Sequence, residues 1–195
     1  MNMTYTNHSG GCEGADMAWE NAGLPYGVKT IAYSFPNHVQ YGAHPYIMNQ
    51  KELDEGWEAC KIASETLNRP LYKLDGQRYV KNLICRNWFQ VKHADTIFAI
   101  GTLVKGNERL VNGGTGWAVQ MALDNKKPVY LYEQDRKQWM AYAAYLEVPK
   151  FVPLTDDTEW EMIPKLTQNF AGIGTRAIND DGLQAILDVY KVSVR

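Results

Sequence analysis

The sequence has few cysteines and no long apolar run. Its three cysteines, Cys12, Cys60 and Cys85, lie far apart and show no CxxC spacing. A sparse, odd set is typical of a reducing compartment and argues against a disulfide framework. No stretch approaches the ~20 apolar residues that cross a bilayer, and the first residues lack the basic, apolar and small-residue order of a secretory signal. We therefore expect a cytoplasmic protein without a membrane partner.

Excess positive charge is also absent. The chain has 20 Lys and Arg against 22 Asp and Glu, a formal net charge of −2. Long nucleic acid is bound through a basic surface, so we expect no such partner. There is no internal repeat, low-complexity tract or linker, and 195 residues suit one α/β domain over residues 1–195.

Strand-like and helix-like segments alternate along the chain. This order predicts an α/β fold, a single Rossmann-like domain whose mostly parallel sheet has helices on both faces. The predicted strands are Met3–Asn7, Lys29–Phe35, Asp95–Ile100 and Pro128–Tyr132, and the predicted helices are Cys12–Ala22, Lys51–Leu67, Gln77–Val91, Thr115–Asn125 and Asp181–Tyr190.

The other segments carry weaker signals. Residues 36–49 and 102–112 are predicted loops, and Pro70–Leu74 is either a short strand or an extended connection. From Gln138 onward the pattern favours helices with short extended pieces, and Trp139–Tyr145 is interpreted as a buried helix face or a subunit contact. Ala171–Arg176 is a third glycine-containing turn before the final helix.

Two glycine turns precede helices and carry the main functional signal. The first reads Ser-Gly-Gly-Cys-Glu-Gly-Ala-Asp over residues 9–16, and the second reads Asn-Gly-Gly-Thr-Gly-Trp over residues 112–117. Such turns expose backbone N–H groups at the positive end of the helix dipole and favour an anion. Both turns belong at the carboxyl edge of a parallel sheet, where ligands bind. We therefore expect one anionic ligand, best matched by a nucleotide, although each turn is also compatible with a simple strand-to-helix connection.

Neither turn matches a standard nucleotide motif. The second lacks the Gly-Lys-Ser/Thr ending of a P-loop, and its spacing misses the dinucleotide fingerprint G-x-G-x-x-G. Triphosphate hydrolysis with Mg²⁺ and a dinucleotide cofactor are therefore not expected, and no cofactor is predicted. His38 and His44 have no zinc-ligand spacing with Cys12, so no metal is predicted either.

The two turns together resemble the SLOG superfamily of Rossmann-like proteins. This superfamily includes the Lonely Guy cytokinin-activating enzymes, DNA-processing protein A and nucleotide-sensing domains of bacterial defence systems. Leu83–Trp88 and Ala94–Gly101 are similar to the helix and strand before the second turn in bacterial and phage members, and the resemblance covers about Ser9 to Tyr132. It implies nucleotide chemistry and a homo-oligomer paired through helices.

One position departs from the hydrolase branch of the superfamily. There the second turn ends in a glutamate, which acts with an arginine on the N-glycosidic bond of a nucleoside 5′-monophosphate. Here Gln120 stands at the glutamate position, Asn112 and Trp117 replace a proline and a threonine, and Arg86 matches the arginine. An amide is neither a carboxylate base nor a charge that stabilises an oxocarbenium-like centre.

The resemblance and the departure together imply a binding protein without a catalytic residue. The expected ligand is a small nucleotide derivative, such as a cyclic ADP-ribose-type immune signal that a sensor or a phage-type anti-defence protein would sequester. The alternative is a phosphoribohydrolase of the Lonely Guy type in which Glu13 or another carboxylate replaces the glutamate; Glu13 is also compatible with a solvated helix start. Single-stranded DNA binding would require a basic channel. The expected ligand-binding residues are Ser9, Gly10, Gly11, Glu13, Gly14, Asp16, Arg86, Gly101, Gly113, Gly114, Thr115, Gly116, Trp117 and Gln120.

Roles can be assigned within this set. Backbone amides of both turns would hold phosphate, Asp16 and Gln120 would bind hydroxyls or base, and Arg86 would neutralise charge. Arg86 is equally compatible with a surface position. Trp117 would either stack on a base or belong to the core.

Overall fold

A computed structural model describes residues 4–155 and 162–194. In this part of the chain the strands are β1 (Thr6–Ser9), β2 (Lys29–Ser34), β3 (Pro45–Ile47), β4 (Thr96–Gly101), β5 (Leu103–Val104), β6 (Asn107–Val111), β7 (Val129–Glu133), β8 (Gln138–Ala143), β9 (Lys150–Pro153) and β10 (Asn169–Gly174). The helices are α1 (Ala15–Gly23), α2 (Gln50–Leu67), α3 (Arg78–Cys85), α4 (Asn87–His93), α5 (Thr115–Asp124) and α6 (Asp180–Ser193), with short 3-10 helices at Leu24–Tyr26 and Leu71–Leu74.

Eight of these strands form one sheet. Their order is β3-β2-β1-β10-β4-β7-β8-β9. The first six are parallel, whereas β8 and β9 continue the sheet in antiparallel fashion. The central strand β10 pairs Thr6 with Asn169 on one side and Thr96 with Phe170 on the other. The middle of the sheet is therefore completed by a segment from late in the sequence.

Strand β4 shows how the two layers of helices are held. All six of its residues are buried, as expected for a parallel strand that is covered on both faces. Ile97 and Ala99 pack into the core with α2, α3, α4 and α5, whereas Phe98 and Ile100 pack into the core with α1 and α6. This arrangement confirms the predicted Rossmann-like domain with helices on both faces.

The helices begin in two different ways. Asn49 and Glu52 form a capping box at α2, with Glu52 N donating to Asn49 Oδ1 at 3.0 Å, and Asn179 caps α6 by accepting from Gly182 N at 2.8 Å. By contrast, α1 and α5 begin at Gly14 and Gly114 with no side-chain cap. Their first N–H groups therefore depend on other partners.

The predicted helix over Gln77–Val91 is two helices, α3 and α4, which meet at Arg86. Phe89 N donates to Arg86 O three residues back, and the Cys85 carbonyl lies directly against Gly56 of α2. A tertiary contact with α2 therefore accompanies the change of helix direction. This contact has no signature in the local pattern.

After Gln138 the predicted final helix is present as α6, but the helix face predicted at Trp139–Tyr145 was wrong. Residues 138–143 form β8, with Tyr130 of β7 opposite Ala141, because an apolar run buried on both faces fits a strand as well as a helix. Ala171–Gly174 belongs to β10 rather than to a turn. An added Cβ on Gly172 would lie 2.5 Å from Trp19 Cγ, so glycine serves close packing here.

Smaller corrections concern connecting segments. The loop over residues 102–112 contains the hairpin β5–β6, and the loop over 36–49 contains the edge strand β3. The segment Pro70–Leu74 is not a strand, because Leu71–Leu74 form a 3-10 helix after an extended Pro70. The first helix begins at Ala15 rather than Cys12, because the glycine turn continues to Gly14. Within the described residues, no helix has the length and apolar character needed to cross a membrane.

Candidate functional site

A cleft of about 1040 Å³ opens at the carboxyl ends of β4 and β10. Gly101 at the end of β4 and Gly174 at the end of β10 form its floor together with Ile173. The first and second glycine turns, α3 with the start of α4, and the loop after β10 contribute its walls. This is the position at which Rossmann-like folds bind ligands.

The second glycine turn faces the cleft with open backbone. Gly113 has φ +65°, a conformation that favours glycine. A Cβ built on Gly113 or Gly114 would meet no atom within 4 Å. Because no side chain caps α5, the positive end of its dipole is available to an anion.

Arg69 fixes the shape of this second turn. Its Nη1 donates to Gly113 O at 2.7 Å and its Nη2 donates to Val111 O at 3.2 Å. The guanidinium carbon lies 6.0 Å from the centre of the Trp117 ring. Both carbonyl oxygens are thereby occupied by Arg69, which itself lines the cleft.

The first glycine turn is closed by the chain's own Asp16. Cys12 N donates to Asp16 Oδ2 at 3.2 Å, and the backbone N–H groups of Gly10 and Gly174 also bind this carboxyl. In addition, Ala15 N at the start of α1 donates to Thr175 O at 3.0 Å. These N–H groups therefore bind groups of the protein and not an open space, in contrast to the phosphate-holding role expected from the sequence.

Arg86 stabilises the closed first turn through hydrogen bonds to backbone carbonyls. Its side chain is 5% exposed and donates to Gly10 O and, at 3.3 Å, to Tyr33 O. Burial raises the pKa of Asp16 above its ordinary value, while Arg86 and the N–H donors oppose that rise. Arg86 also lines the cleft, so the same guanidinium supports the turn and carries positive charge to the site.

The cleft concentrates positive charge in a chain that is negative overall. Four cationic side chains and two carboxylates, Asp16 and Asp135, line it. Among residues 4–155 and 162–194, no ion pair engages any of these cations. The local field therefore favours an anion. The cations are Arg69, Lys73, Arg86 and Arg176.

The structure brings half of the expected binding residues to the cleft. Its lining includes Asp16, Arg86, Gly101, Gly113, Gly114, Thr115 and Trp117, but not Ser9, Gly10, Gly11, Glu13, Gly14, Gly116 or Gln120. Gly10 and Gly116 have packing roles instead, since a Cβ on Gly116 would collide with the Val111 carbonyl. Glu13 is exposed.

Gln120 lies inside α5 and away from the cleft. It is 6% exposed, and its Nε2 donates to Asp124 Oδ1 at 2.8 Å, one helical turn further on. The sequence missed Arg69, Lys73 and Arg176. Arg69 precedes the 3-10 helix Leu71–Leu74 and Lys73 lies within it, in a segment predicted to be a short strand or an extended connection, and Arg176 belongs to the predicted third turn. Their positive charge beside turn residues was the signal available.

These observations define a Rossmann-like α/β protein with a cationic cleft at the carboxyl ends of its parallel strands. No protein-family model and no curated protein matches the chain. Among solved structures it is similar to a protein of Syntrophus aciditrophicus SB named "Putative molybdenum carrier protein". The two share 13% identity with a TM-score of 0.51, over 100% of this chain and 97% of that one. At this identity the likeness shows a common fold.

Proposed function

We propose that the protein binds a small nucleotide-derived ligand, with its phosphate at the second glycine turn. One observation carries the proposal: the uncapped start of α5 opens into the same cleft as four cations that form no ion pair within the described part of the chain. Backbone N–H groups and a helix dipole are a recurrent phosphate site. The cleft volume of about 1040 Å³ is also at the upper end for small-molecule pockets.

The rest of the cleft suits a nucleoside. Leu83 and Ile84 of α3 and the ring of Trp117 offer apolar surface, and Asn87 and Gln90 of α4 offer amides beside it. Small-molecule sites commonly combine mostly apolar walls with a few placed polar groups. In this arrangement the base lies against α3, and the ribose lies between it and the phosphate at α5.

The resemblance to SLOG proteins supports a binding protein that holds its ligand. A cyclic ADP-ribose-type signal, held by a sensor or a sequestering anti-defence protein, is the ligand class we favour. Asp16 is engaged by backbone N–H groups, Gln120 bonds within its own helix, and Glu13 is not part of the cleft wall. Neither Gln120 nor Glu13 therefore supplies the carboxylate that N-glycosidic hydrolysis requires, and the carboxylates that line the cleft are Asp16 and Asp135.

Mass spectrometry of small molecules released by heating the purified full-length protein tests this proposal most directly. We expect an intact nucleotide derivative. Calorimetric titration with AMP, ADP-ribose, cyclic ADP-ribose and molybdate then ranks the anions, and molybdate is included because of the neighbour's name. Free base released at a catalytic rate would establish the hydrolase instead, and binding of molybdate alone would overturn the nucleotide proposal.

Two exposed lysines provide a matched pair of variants. Lys73 lines the cleft, whereas Lys61 pairs with Glu58 at 2.7 Å on the outer surface of α2. Lys73→Gln should weaken binding of the best nucleotide about fivefold, because one exposed charge contributes about 1 kcal/mol at contact distance. Lys61→Gln removes the same charge and should leave affinity unchanged. Equal losses would show a response to net charge and not a local site.

The homo-oligomer stays a prediction from the resemblance. Multi-angle light scattering of the purified protein measures it directly. A mass near twice or four times 22.2 kDa would support it.

A further inference from the structure

Cys12 lies on the cleft wall close to a histidine and an arginine. Its side chain is partly exposed, and its Sγ is 3.1 Å from Arg86 Nη2 and 4.0 Å from His38 Nε2. The other ring nitrogen of His38, Nδ1, is 2.9 Å from Ser34 Oγ. A thiol, a base and a group that orients the base together form the arrangement of an activated nucleophile.

The imidazole is held in position and kept neutral. Its ring stacks on Phe35 with centres 4.8 Å apart. Burial, and then the charges of Arg86 and Arg176, lower the pKa of His38 to about 4. At pH 7 the ring is therefore uncharged. Nε2 is the ring nitrogen near the sulfur, and the tautomer with its proton on Nδ1, beside Ser34 Oγ, would leave Nε2 free to accept the thiol proton.

Arg86, whose Nη2 donates to Cys12 Sγ at 3.1 Å, is the cation placed next to the reacting sulfur. As the Cys12 thiol transfers its proton to His38, the charge that develops on sulfur lies beside the Arg86 guanidinium. That charge also offsets the repulsion between a protonated His38 and the arginines. The cluster therefore disfavours an imidazolium on its own, but it accommodates one that forms together with a negative charge on the sulfur.

The other two cysteines have no such setting. Cys60 and Cys85 are 0% and 1% exposed and hydrogen-bond to each other between α2 and α3. Reagents dissolved in water do not reach them in the folded protein. They therefore serve as internal controls for reactivity at Cys12.

We propose that Cys12 is a nucleophile that forms a covalent adduct with small anionic electrophiles entering the cleft. The sulfur attacks the electrophilic carbon and forms the S–C bond, the thiol proton passes to His38 Nε2, and the leaving group departs with the electron pair of its bond to carbon. Arg86 stabilises negative charge on sulfur, and Arg176 helps to attract the anionic reagent. The proposal rests on this cluster and does not require a nucleotide.

Alkylation by iodoacetate and by iodoacetamide tests the proposal with the purified protein at pH 7. Peptide mass spectrometry follows each cysteine, and iodide is the leaving group. Cys12 should react about tenfold faster than glutathione, the low end for general-base assistance, while Cys60 and Cys85 stay unmodified. Relative to glutathione, the protein should favour the anionic iodoacetate about fivefold, because one nearby positive charge supplies that much attraction.

Two histidines of one loop supply the matched variants. His38→Asn removes the base and should slow alkylation of Cys12 about tenfold, whereas His44→Asn changes an exposed ring outside the cluster and should have no effect. A Cys12 that reacts at the glutathione rate, or equal rates in the two variants, would overturn the proposal. If His38→Asn fails to fold, the wild-type protein still tests the proposal, because a preference for iodoacetate no greater than that of glutathione would overturn it.

AMP separates this inference from the proposed function. Protection of Cys12 by AMP supports both, because the nucleotide then fills the cleft next to the thiol. Fast alkylation that AMP does not slow would count against the nucleotide site and leave the nucleophile in place.

Discussion

The two glycine turns should respond in opposite ways to the same added methyl group. A Cβ on Gly10 would lie 2.7 Å from Asp16 Oδ2, 2.7 Å from Gln90 Nε2 and 2.8 Å from Arg86 Cζ. All three neighbours are buried polar groups, and a shift of Asp16 or Arg86 would break bonds that hold the first turn. Overpacking costs about 1–3 kcal/mol and a broken buried hydrogen bond about 1–3 kcal/mol.

We therefore expect Gly10→Ala to lower the free energy of unfolding by about 3 kcal/mol. In a chain of this size, ~1 kcal/mol corresponds to roughly 2–4 °C, so the melting temperature should fall by roughly 6–12 °C. Gly114→Ala is the control. Its Cβ meets nothing within 4 Å and its φ is −64°. Its stability should stay within about 1 kcal/mol of wild type, since Ala caps a helix poorly but restricts the unfolded chain.

For ligand binding, a change at the second turn should matter more than a change at the first. The added methyl of Gly114→Ala occupies space at the proposed phosphate position, so affinity for AMP should fall about tenfold while the fold is kept. Thermal denaturation followed by circular dichroism, together with titration calorimetry, measures both effects. A Gly10→Ala protein that melts within about 1 °C of wild type would refute the account of the closed turn. A Gly114→Ala protein with unchanged affinity would refute the phosphate position.

Three further predictions follow from individual contacts. Arg69→Ala should cost about 1–3 kcal/mol in urea denaturation and weaken AMP binding, because it leaves the Gly113 carbonyl without its 2.7 Å donor. Gln120→Glu should release no free base from AMP. It should lower the free energy of unfolding at pH 7 by about 1–3 kcal/mol, because it places a second carboxylate against Asp124. This loss of stability should shrink as the pH falls and the carboxylates become protonated. Burial and His93 lower the pKa of His8 from 6.5 to about 4, so its contribution to stability is complete above pH 6.5 and is lost as the pH falls towards 4. The free energy of unfolding, measured by urea denaturation, should drop over that window by about 2 kcal/mol, and by less in His8→Asn.

The sequence predicted the structure best where the apolar pattern and the position of a glycine indicated the same boundary of a strand or helix. The apolar run that became β4 ends at Gly101, and the Gly113–Gly114 pair opens α5; both lie at the cleft as expected. The α/β class followed from the same alternation. Arg86, singled out through resemblance to a family motif and not through any local pattern, also lines the cleft, and its role in ligand binding stays a prediction.

The rest depended on contacts between distant parts of the chain. Asp16 bonds to backbone N–H groups of the first turn and of Gly174, and Gly14, at φ +92°, packs against the backbone of Arg176, more than 150 residues later. No local pattern encodes that neighbour, so a carboxylate next to a glycine turn was interpreted as pointing to a ligand. The helix predicted over β8 was wrong for a related reason. The run is compatible with the apolar period of a helix and with that of a strand, and only its pairing with β7 decides between them.

The central position of β10 also constrains the order in which the protein folds. Before Asn169–Gly174 has been synthesised, β1 with β2 and β3 is one half-sheet, and β4 with β7, β8 and β9 is another, and nothing in the sheet joins them. Each half would present the unpaired backbone edge of a buried strand, which is the kind of edge that recruits other chains. We expect slow, late folding that depends on long-range pairing and aggregation of nascent chains that end before β10. The cleft, whose floor includes Ile173 and Gly174, would not exist until that last strand is inserted.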